Sequence, residues 1–408
     1  MIALNESPDV VVIKFGGSVL DGDGKVAQAA ELIRRLRAKG RAAVVVVSAL
    51  KGVTDQLLSM ATKTDATISP ERLDDILSIG EKTSARLMAA ALEKESIQSV
   101  VVDPDSPFWP IVTDGRHLDA SPELQECRAR GQNLLLPLLK DGKVPVVCGF
   151  LGKAKDGTTT TLGRGGSDTT AVLLGNCLGA SEVVLMKDVE GVFSSDPDRV
   201  ETPRLLKTLD GEEAGLLANG GAKFLHSKAL RYQKKGMRIR ITALESPEAG
   251  TVIEGGFPDV RVERSEEPVS MITLVGVDIT NLRSLAEVVE SVKANGSSVL
   301  GMLLEPKSAL LYVSDGKSVL NSVHKALLRG DLGKAVSSFD GLSMITIRGS
   351  ALETKPGPIG RIVRPLSEAG VNIYGVVTIS SSVRIFVSAD RSESAVKMIE
   401  SALAVDGQ

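Results

Sequence analysis

Six apolar runs rich in β-branched residues punctuate roughly the first 250 positions: VVVIKF (10–15), AAVVVVSAL (42–50), SVVVD (99–103), VPVVCGFL (144–151), SEVVLMKDV (181–189) and RIRIT (238–242). They are continuous rather than alternating, the pattern of strands buried on both faces of a parallel, helix-covered sheet. Between them, KVAQAAELIRRLRAKG (25–40) repeats apolar residues at spacings of three and four and closes on Gly40, a helix C-cap signal. EKTSARLMAAALEKE (81–95) reads the same way. These elements predict an α/β sandwich with its ligands at the C-terminal ends of the strands.

The pattern changes after EGGFPDVRVERSEEP (254–268), a polar stretch with Gly and Pro that reads as a domain boundary. Beyond it, VSMITLVGV (269–277) and GLSMITIRGS (341–350) share the tetrapeptide SMIT. Each is followed by a helical stretch and further strands, including SALLYVS (308–314) and SVRIFVS (382–388). Two copies of a βαββαβ-like unit are therefore expected. The alternative is a pair of unrelated small α+β units.

Composition narrows the function. A chain of 408 residues is long enough for two or three domains with real cores. Its net charge of −3 offers no basic field for nucleic acid or an anionic membrane. Aromatic residues at 3% leave few platforms for stacking bases. Cys127, Cys148 and Cys177 form no CxxC pair and read as reduced core thiols of a cytoplasmic protein. With three histidines a zinc site is not expected, and no metal-ligating set is assigned. MIALNESPDV lacks the basic and apolar regions of a secretory leader, and no run approaches the ~18 apolar residues of a membrane span.

The chemistry lies at strand ends. KFGGS (14–18) follows the first strand with Lys14, Gly16, Gly17 and Ser18. Glycines let a phosphate approach main-chain N–H groups, and a lysine supplies a point charge. The lysine precedes the glycines, so this is not the GxxxxGK[ST] loop; a plain strand-to-helix turn is the alternative. TTTTLGRGGSDTTAVLLG (158–175) presents a second glycine-rich turn, with Arg164 as a fork for a carboxylate or phosphate, then Ser167 and Asp168 at a helix start. Asp168 could otherwise serve as an N-cap. In VSALKGVTDQLL (47–58), Ser48 and Thr54 read as hydrogen-bond donors, with Thr54 alternatively a helix N-cap. Glu81 follows Gly80 at an expected helix start and could bind an ammonium. In MKDVEGVFSSDP (186–197), Asp188, Phe193 and Asp196 suit an adenosine site, and Lys223 of GGAKFLHSKAL (220–230) opens an expected helix within reach of phosphate or solvent. Cations and amides for phosphates, an Arg for a carboxylate and acids for an ammonium together fit ATP-dependent phosphorylation of a zwitterionic amino acid.

With these pieces in this order, the sequence resembles the aspartate kinases (aspartokinases) of the amino-acid-kinase family over nearly its whole length, TTTTLGRGGSD being the most specific segment. The two C-terminal units resemble ACT domains, ETKPGPIGRIVRPLSEAGVNIYGV (353–376) matching best. The resemblance implies an amino-acid-kinase α/β/α sandwich with a mostly parallel sheet over residues 1–262, followed by two ferredoxin-like α+β ACT domains over 269–336 and 340–408. It implies transfer of the ATP γ-phosphate to the β-carboxylate of L-aspartate, with Mg²⁺ carried largely by phosphate oxygens and water. In the implied roles, Lys14, Gly16 and Gly17 bind and polarise the transferring phosphate, and Asp168 organises Lys14 and the substrate. Ser48 and Thr54 contact aspartate, Glu81 takes its ammonium, and Arg164, with Ser167 beside it, clamps its α-carboxylate. Asp188, Phe193, Asp196 and Lys223 serve the nucleotide. Lysine or threonine bound at an ACT interface of a homodimer or larger homo-oligomer is the implied effector. The sequence departs from the family pattern in the shortened GGS, in Lys187 where a threonine is usual before Asp188, in Phe193, in DPDR (196–199) and in HSK (226–228). The rival readings are a relative acting on another carboxylate acceptor and a non-catalytic amino-acid sensor.

Overall fold

The computed structural model describes residues 8–256, 260–276, 282–330, 333–349, 352, 357–379 and 382–404. The start of the chain read for a leader (1–7), and Glu353–Pro356 of the segment compared with an effector module, lie outside these residues. The chain divides into two compact units, residues 1–257 and 258–408.

The first unit is built on an eight-stranded sheet. Its strands are β1 (Val10–Phe15), β2 (Ala42–Val47), β3 (Ser99–Val102), β4 (Val144–Cys148), β7 (Glu182–Lys187), β8 (Thr208–Asp210), β9 (Arg238–Ala243) and β10 (Thr251–Glu254). Their order is β3-β4-β2-β1-β7-β9-β10-β8. Every pairing is parallel except β9 with β10. A hairpin of β5 (Leu151–Lys153) and β6 (Thr159–Thr161) stands apart. All six residues of β1 are buried, as the unbroken apolar run predicts. The chain leaves β1 toward β2 on one side and later adds β7 on the other. The ends of β1, β2 and β7 thus form the switch point where open α/β sheets bind ligands. Helix α4 (Pro70–Lys94) packs on β2, β3 and β4, and α7 (Gly166–Leu178) packs on β1 and β7.

Helix α4 is longer than expected. It begins at Pro70, with Ser69 as N-cap accepting from the Arg72 N–H at 3.4 Å. Gly80 does not end a segment; it lies mid-helix, where a Cβ would come within 2.7 Å of the Ala49 Cβ. Glycine is there for the close approach of α4 to the segment that follows β2, and the expected helix start at Glu81 gives way to a mid-helix position.

The second unit holds one antiparallel sheet, ordered β13-β14-β12-β15-β17-β16. The strands are β12 (Val269–Val275), β13 (Val299–Glu305), β14 (Ser308–Ser314), β15 (Ala335–Arg348), β16 (Ile373–Ile379) and β17 (Ser382–Ser388). The long β15 joins the two repeats: its first half pairs with β12 and its second with β17. A further strand, β11 (Arg261–Arg264), pairs with the second half of β15, although it lies in the stretch read as a boundary. Each half has its own apolar core. One includes Ile272, Leu311, Val313 and Val323; the other includes Ile345, Ile362, Ile385 and Ile399. Tyr312 and Phe386, each fifth in its SALLYVS or SVRIFVS run, turn away from these cores and stack on each other, centroids 3.7 Å apart and planes at 7°. The Tyr312 hydroxyl donates to the Tyr374 carbonyl at 2.7 Å, in space left by the missing side chain of Gly375.

Candidate active site

Lys14 is the fifth residue of β1, and its side chain reaches Asp168 in the first turn of α7, Nζ to Oδ1 2.8 Å. Lys187, the last residue of β7, meets the other oxygen of the same carboxylate, Nζ to Oδ2 2.7 Å. Burial alone would raise the Asp168 carboxyl, but the two ammonium groups override it and hold it well below the ordinary carboxylate range. Burial pulls the Lys14 ammonium below the ordinary lysine value; the Lys187 charge acts the same way and Asp168 opposes it.

The glycine turn closes over this pair. Gly16 is extended and caps a four-residue helical turn, α1 (Gly17–Leu20). A Cβ on Gly17 would overlap the Ala49 carbonyl oxygen, so only glycine lets this turn lie against the exit of β2. Just beyond β2, the Ala49 N–H donates to Glu81 Oε1 at 3.1 Å. Glu81 is buried, its Oε2 has no hydrogen-bond partner, and burial pushes its carboxyl up to about 7, opposed by the Ala49 bond and the charge of Lys14. A buried carboxylate oxygen without a donor is costly, and a cationic ligand group would satisfy it.

Ser167 and Asp168 enter through a well-anchored turn. Gly165, with φ +70°, is the N-cap of α7, so Asp168 is the third helical residue and not the cap. Ser167 packs against Gly149 beyond β4, where an added Cβ would come within 2.7 Å of the Ser167 Cβ. Lys228, buried, donates to Asp119 Oδ1 (2.8 Å) and to the carbonyls of Ala120 (3.0 Å) and Leu162 (2.7 Å). Asp74 accepts from Thr161 Oγ1 at 2.6 Å and from the Leu118 N–H at 3.2 Å, and its other oxygen lies 2.8 Å from His117 Nδ1. Two of these bonds, at Thr161 and Leu162, hold the N-terminal side of the turn that carries Arg164.

The structure thus gathers Lys14, Gly16, Gly17, Glu81, Ser167 and Asp168 around the ends of β1, β2, β4 and β7. Ser48 stands at the exit of β2, its N–H on the Phe15 carbonyl at 3.2 Å. Thr54 is the second residue of α3 (Val53–Thr64), capped by Gly52, which removes the N-cap alternative for Thr54. Arg164 is exposed in the turn before α7, and Asp188 is exposed directly after β7. Phe193, half-buried and bridged to Leu205, and the exposed Asp196 lie on the loop that follows β7. Lys223 is exposed in a turn and does not open a helix; the next helix, α9 (Ser227–Leu230), starts four residues later under a His226 cap. Among the described residues, no hydrogen bond or ion pair joins Phe193, Asp196 or Lys223 to the Lys14–Asp168 pair. Lys187 and Lys228 stand outside the site residues that the sequence pattern indicates. The one sequence signal for Lys187 is its departure from the family pattern.

A parallel sheet whose strand ends gather lysines, glycines and buried acids is the architecture of a small-molecule phosphotransferase. Residues 9–243 match the amino acid kinase family. An aspartokinase of Mycobacterium tuberculosis is 31% identical over 93% of this chain and 91% of its own length. The chain therefore belongs to the amino acid kinase family and, within it, groups with the aspartokinases. Its fold is also that of the aspartate kinase of Synechocystis, with a TM-score of 0.77 and 24% identity over 97% of this chain and 69% of that one. Escherichia coli aspartokinase III, 24% identical, covers 97% of this chain and 99% of its own with a TM-score of 0.56, in a structure with aspartate and ADP described as the R-state. The same enzyme has been solved with lysine and aspartate, described as the T-state. Among the described residues, no helix is long and apolar enough to cross a membrane.

Proposed function

We propose that the chain transfers the γ-phosphate of ATP to the β-carboxylate of L-aspartate, giving 4-phospho-L-aspartate. The observation that carries this reading is the cluster of buried Lys14 and Asp168 with half-buried Lys187, beside Glu81, whose Oε2 lacks a partner. Lysine ammoniums and the amides of Gly16 and Gly17 suit phosphate oxygens, and Glu81 suits the substrate ammonium. Arg164, with Ser167, takes the α-carboxylate, and Ser48 and Thr54 contact the side-chain end. Asp188, Phe193, Asp196 and Lys223 bind the nucleotide.

The acceptor carboxylate is ionised at neutral pH, so the reaction requires no strong general base. Catalysis comes from holding the two anions in line and offsetting the charge that develops on the transferring group. Asp168 fixes the Lys14 ammonium where that charge appears. The donor set fits Mg²⁺ carried on the nucleotide: ammoniums and amides face phosphate, with exposed Asp188 beside them, and the ion would screen the phosphate charge while bound largely by phosphate oxygens and water.

The second unit, whose first half runs βαββαβ and whose second runs βαββα with β11 at its edge in place of a closing strand among the described residues, is the regulatory part of this proposal. It pairs with a second copy of the chain and binds lysine or threonine. The protein then acts in the cytoplasm. The test is ADP release from Mg·ATP with L-aspartate, with L-glutamate and without acceptor, hydroxylamine being present to trap an acyl phosphate. Aspartate-dependent ADP and a trapped hydroxamate are expected. A folded, nucleotide-binding protein that gives neither would overturn the reading.

A further inference from the structure

We propose that Lys187 is a second phosphate-binding cation of this site, holding Asp168 from the side opposite Lys14 and turning its remaining N–H donors to the terminal phosphate of the nucleotide. The inference deepens the proposed function and rests on it for the identity of the nucleotide.

Three observations carry it. The first is position. Phe15 pairs with Met186 in the β1–β7 register, and the Gly16 N–H continues the ladder to the Met186 carbonyl at 3.4 Å. Lys187 therefore stands beside the glycine turn, one strand over from Lys14, at the switch point of the sheet. The second is the division of one carboxylate between two lysines, Oδ1 to Lys14 at 2.8 Å and Oδ2 to Lys187 at 2.7 Å. Asp168 is already paired by the deeper lysine, so Lys187 is not needed to neutralise it. The third is access. The Lys187 side chain is 16% exposed against 7% for Lys14, so it lies at the mouth of the cluster.

Two ammoniums against one carboxylate leave the cluster with an excess positive charge. Holding an extra cation in a largely buried place is unfavourable unless an anion completes it. The other charged groups that Lys14 senses are Asp188, exposed, and Glu81, whose carboxyl is pushed up to about 7 and is partly neutral at that pH. A polyphosphate supplies the missing negative charge in full. Lysine ammoniums offer three donors each, and Lys187 spends one on Asp168.

Direct binding separates this role from a mere clamp on Asp168. Wild type, Lys187→Met and Lys187→Arg are titrated calorimetrically with Mg·ATP and with adenosine, which lacks phosphate. Lys187→Met is expected to lose about tenfold or more in ATP affinity while adenosine binding holds, and Lys187→Arg to keep ATP affinity within a few-fold. In turnover, Lys187→Met raises KM for ATP, and the basic limb of its kcat/KM profile moves to higher pH, because Lys14 has lost a like-charged neighbour. Unchanged ATP affinity in a folded Lys187→Met would overturn the inference, as would equal losses for ATP and adenosine. A wild type that binds ATP yet shows no aspartate-dependent turnover overturns the choice of acceptor and leaves the Lys187 result to stand on binding. A wild type that does not bind ATP overturns both.

Discussion

The two units bury different kinds of polar group. Among the described residues, every buried charged side chain lies in the first unit: Lys14, Asp74, Glu81, Asp103, Asp168, Glu182 and Lys228. Among the described residues of the second unit, the fully buried hydrogen-bonding side chains are uncharged: serines, threonines and Tyr312. Charge inside a protein is expensive and is retained where partners or function compensate for it. Within the first unit the charges divide again. Glu182 is held by Arg41 and Arg240, Asp103 by Arg86, and Lys228 by three acceptors. Those pairs fasten the framework. Lys14, Asp168 and Lys187 carry an excess cation, and Glu81 an unpartnered oxygen. The comparison separates buried charge that holds a fold from buried charge that awaits a ligand.

The largest effect that would break this contrast concerns Lys14. Lys14→Ala should lower kcat by about 10²–10³, some 2.7–4 kcal/mol of transition-state stabilisation, with the thermal transition of the second unit unmoved. Near-normal turnover in a steady-state assay would place Lys14 with the framework charges.

Next is Glu81, whose effect depends on pH. Its carboxyl is raised from 4.5 to about 7 by burial. Below pH 4.5 it is protonated in folded and unfolded chains alike and contributes no difference. Between 4.5 and 7 the unfolded chain ionises first, so a destabilisation grows, and above 7 it is complete. Glu81→Gln, which keeps an acceptor for the Ala49 N–H, should therefore stabilise the first unit by at most about 3 kcal/mol at pH 8 and by nothing at pH 4. Denaturant unfolding across pH reads this directly. The same ionisation should make aspartate bind better as pH rises through about 7, and Glu81→Gln should flatten that rise; a parallel pH dependence in both proteins would count against an ammonium partner.

A smaller effect tests the second unit. A Cβ at Gly375 would overlap the Tyr312 hydroxyl, so Gly375→Ala should destabilise that unit by about 1–3 kcal/mol, the usual cost of overpacking, while the ATP affinity of the first unit holds. Calorimetric unfolding beside nucleotide titration distinguishes the two. Smallest is the cap of α4: Ser69→Ala should cost about 1 kcal/mol, visible as a shifted denaturation midpoint, and leave kcat unchanged.

The repeat and the strands were legible because their signals are local. An unbroken run such as VVVIKF has to be covered on both faces, and SMIT marks equivalent strands. Lys14, Glu81, Arg164 and Asp168 could be named because their residue types at strand ends and glycine turns are unusual enough to stand out. The start of α4 is not legible, because in sequence Gly80 reads as punctuation and only its close approach to Ala49 explains it. Lys223 reads as the opening of a helix, yet the helix begins only at Ser227.

What the sequence by itself determined is therefore the inventory: a buried parallel sheet, two repeated antiparallel halves, and the chemical groups available at the strand ends. The tertiary structure alone decided the pairings. It set Lys187 on the same carboxylate as Lys14, left one oxygen of Glu81 without a partner, and laid Tyr312 against Phe386. Period and composition record how a segment meets its immediate neighbours. An ion pair between positions 168 and 187, or a ring stack between 312 and 386, depends on sheet order and on which face each side chain takes, and these are fixed only when the whole core closes.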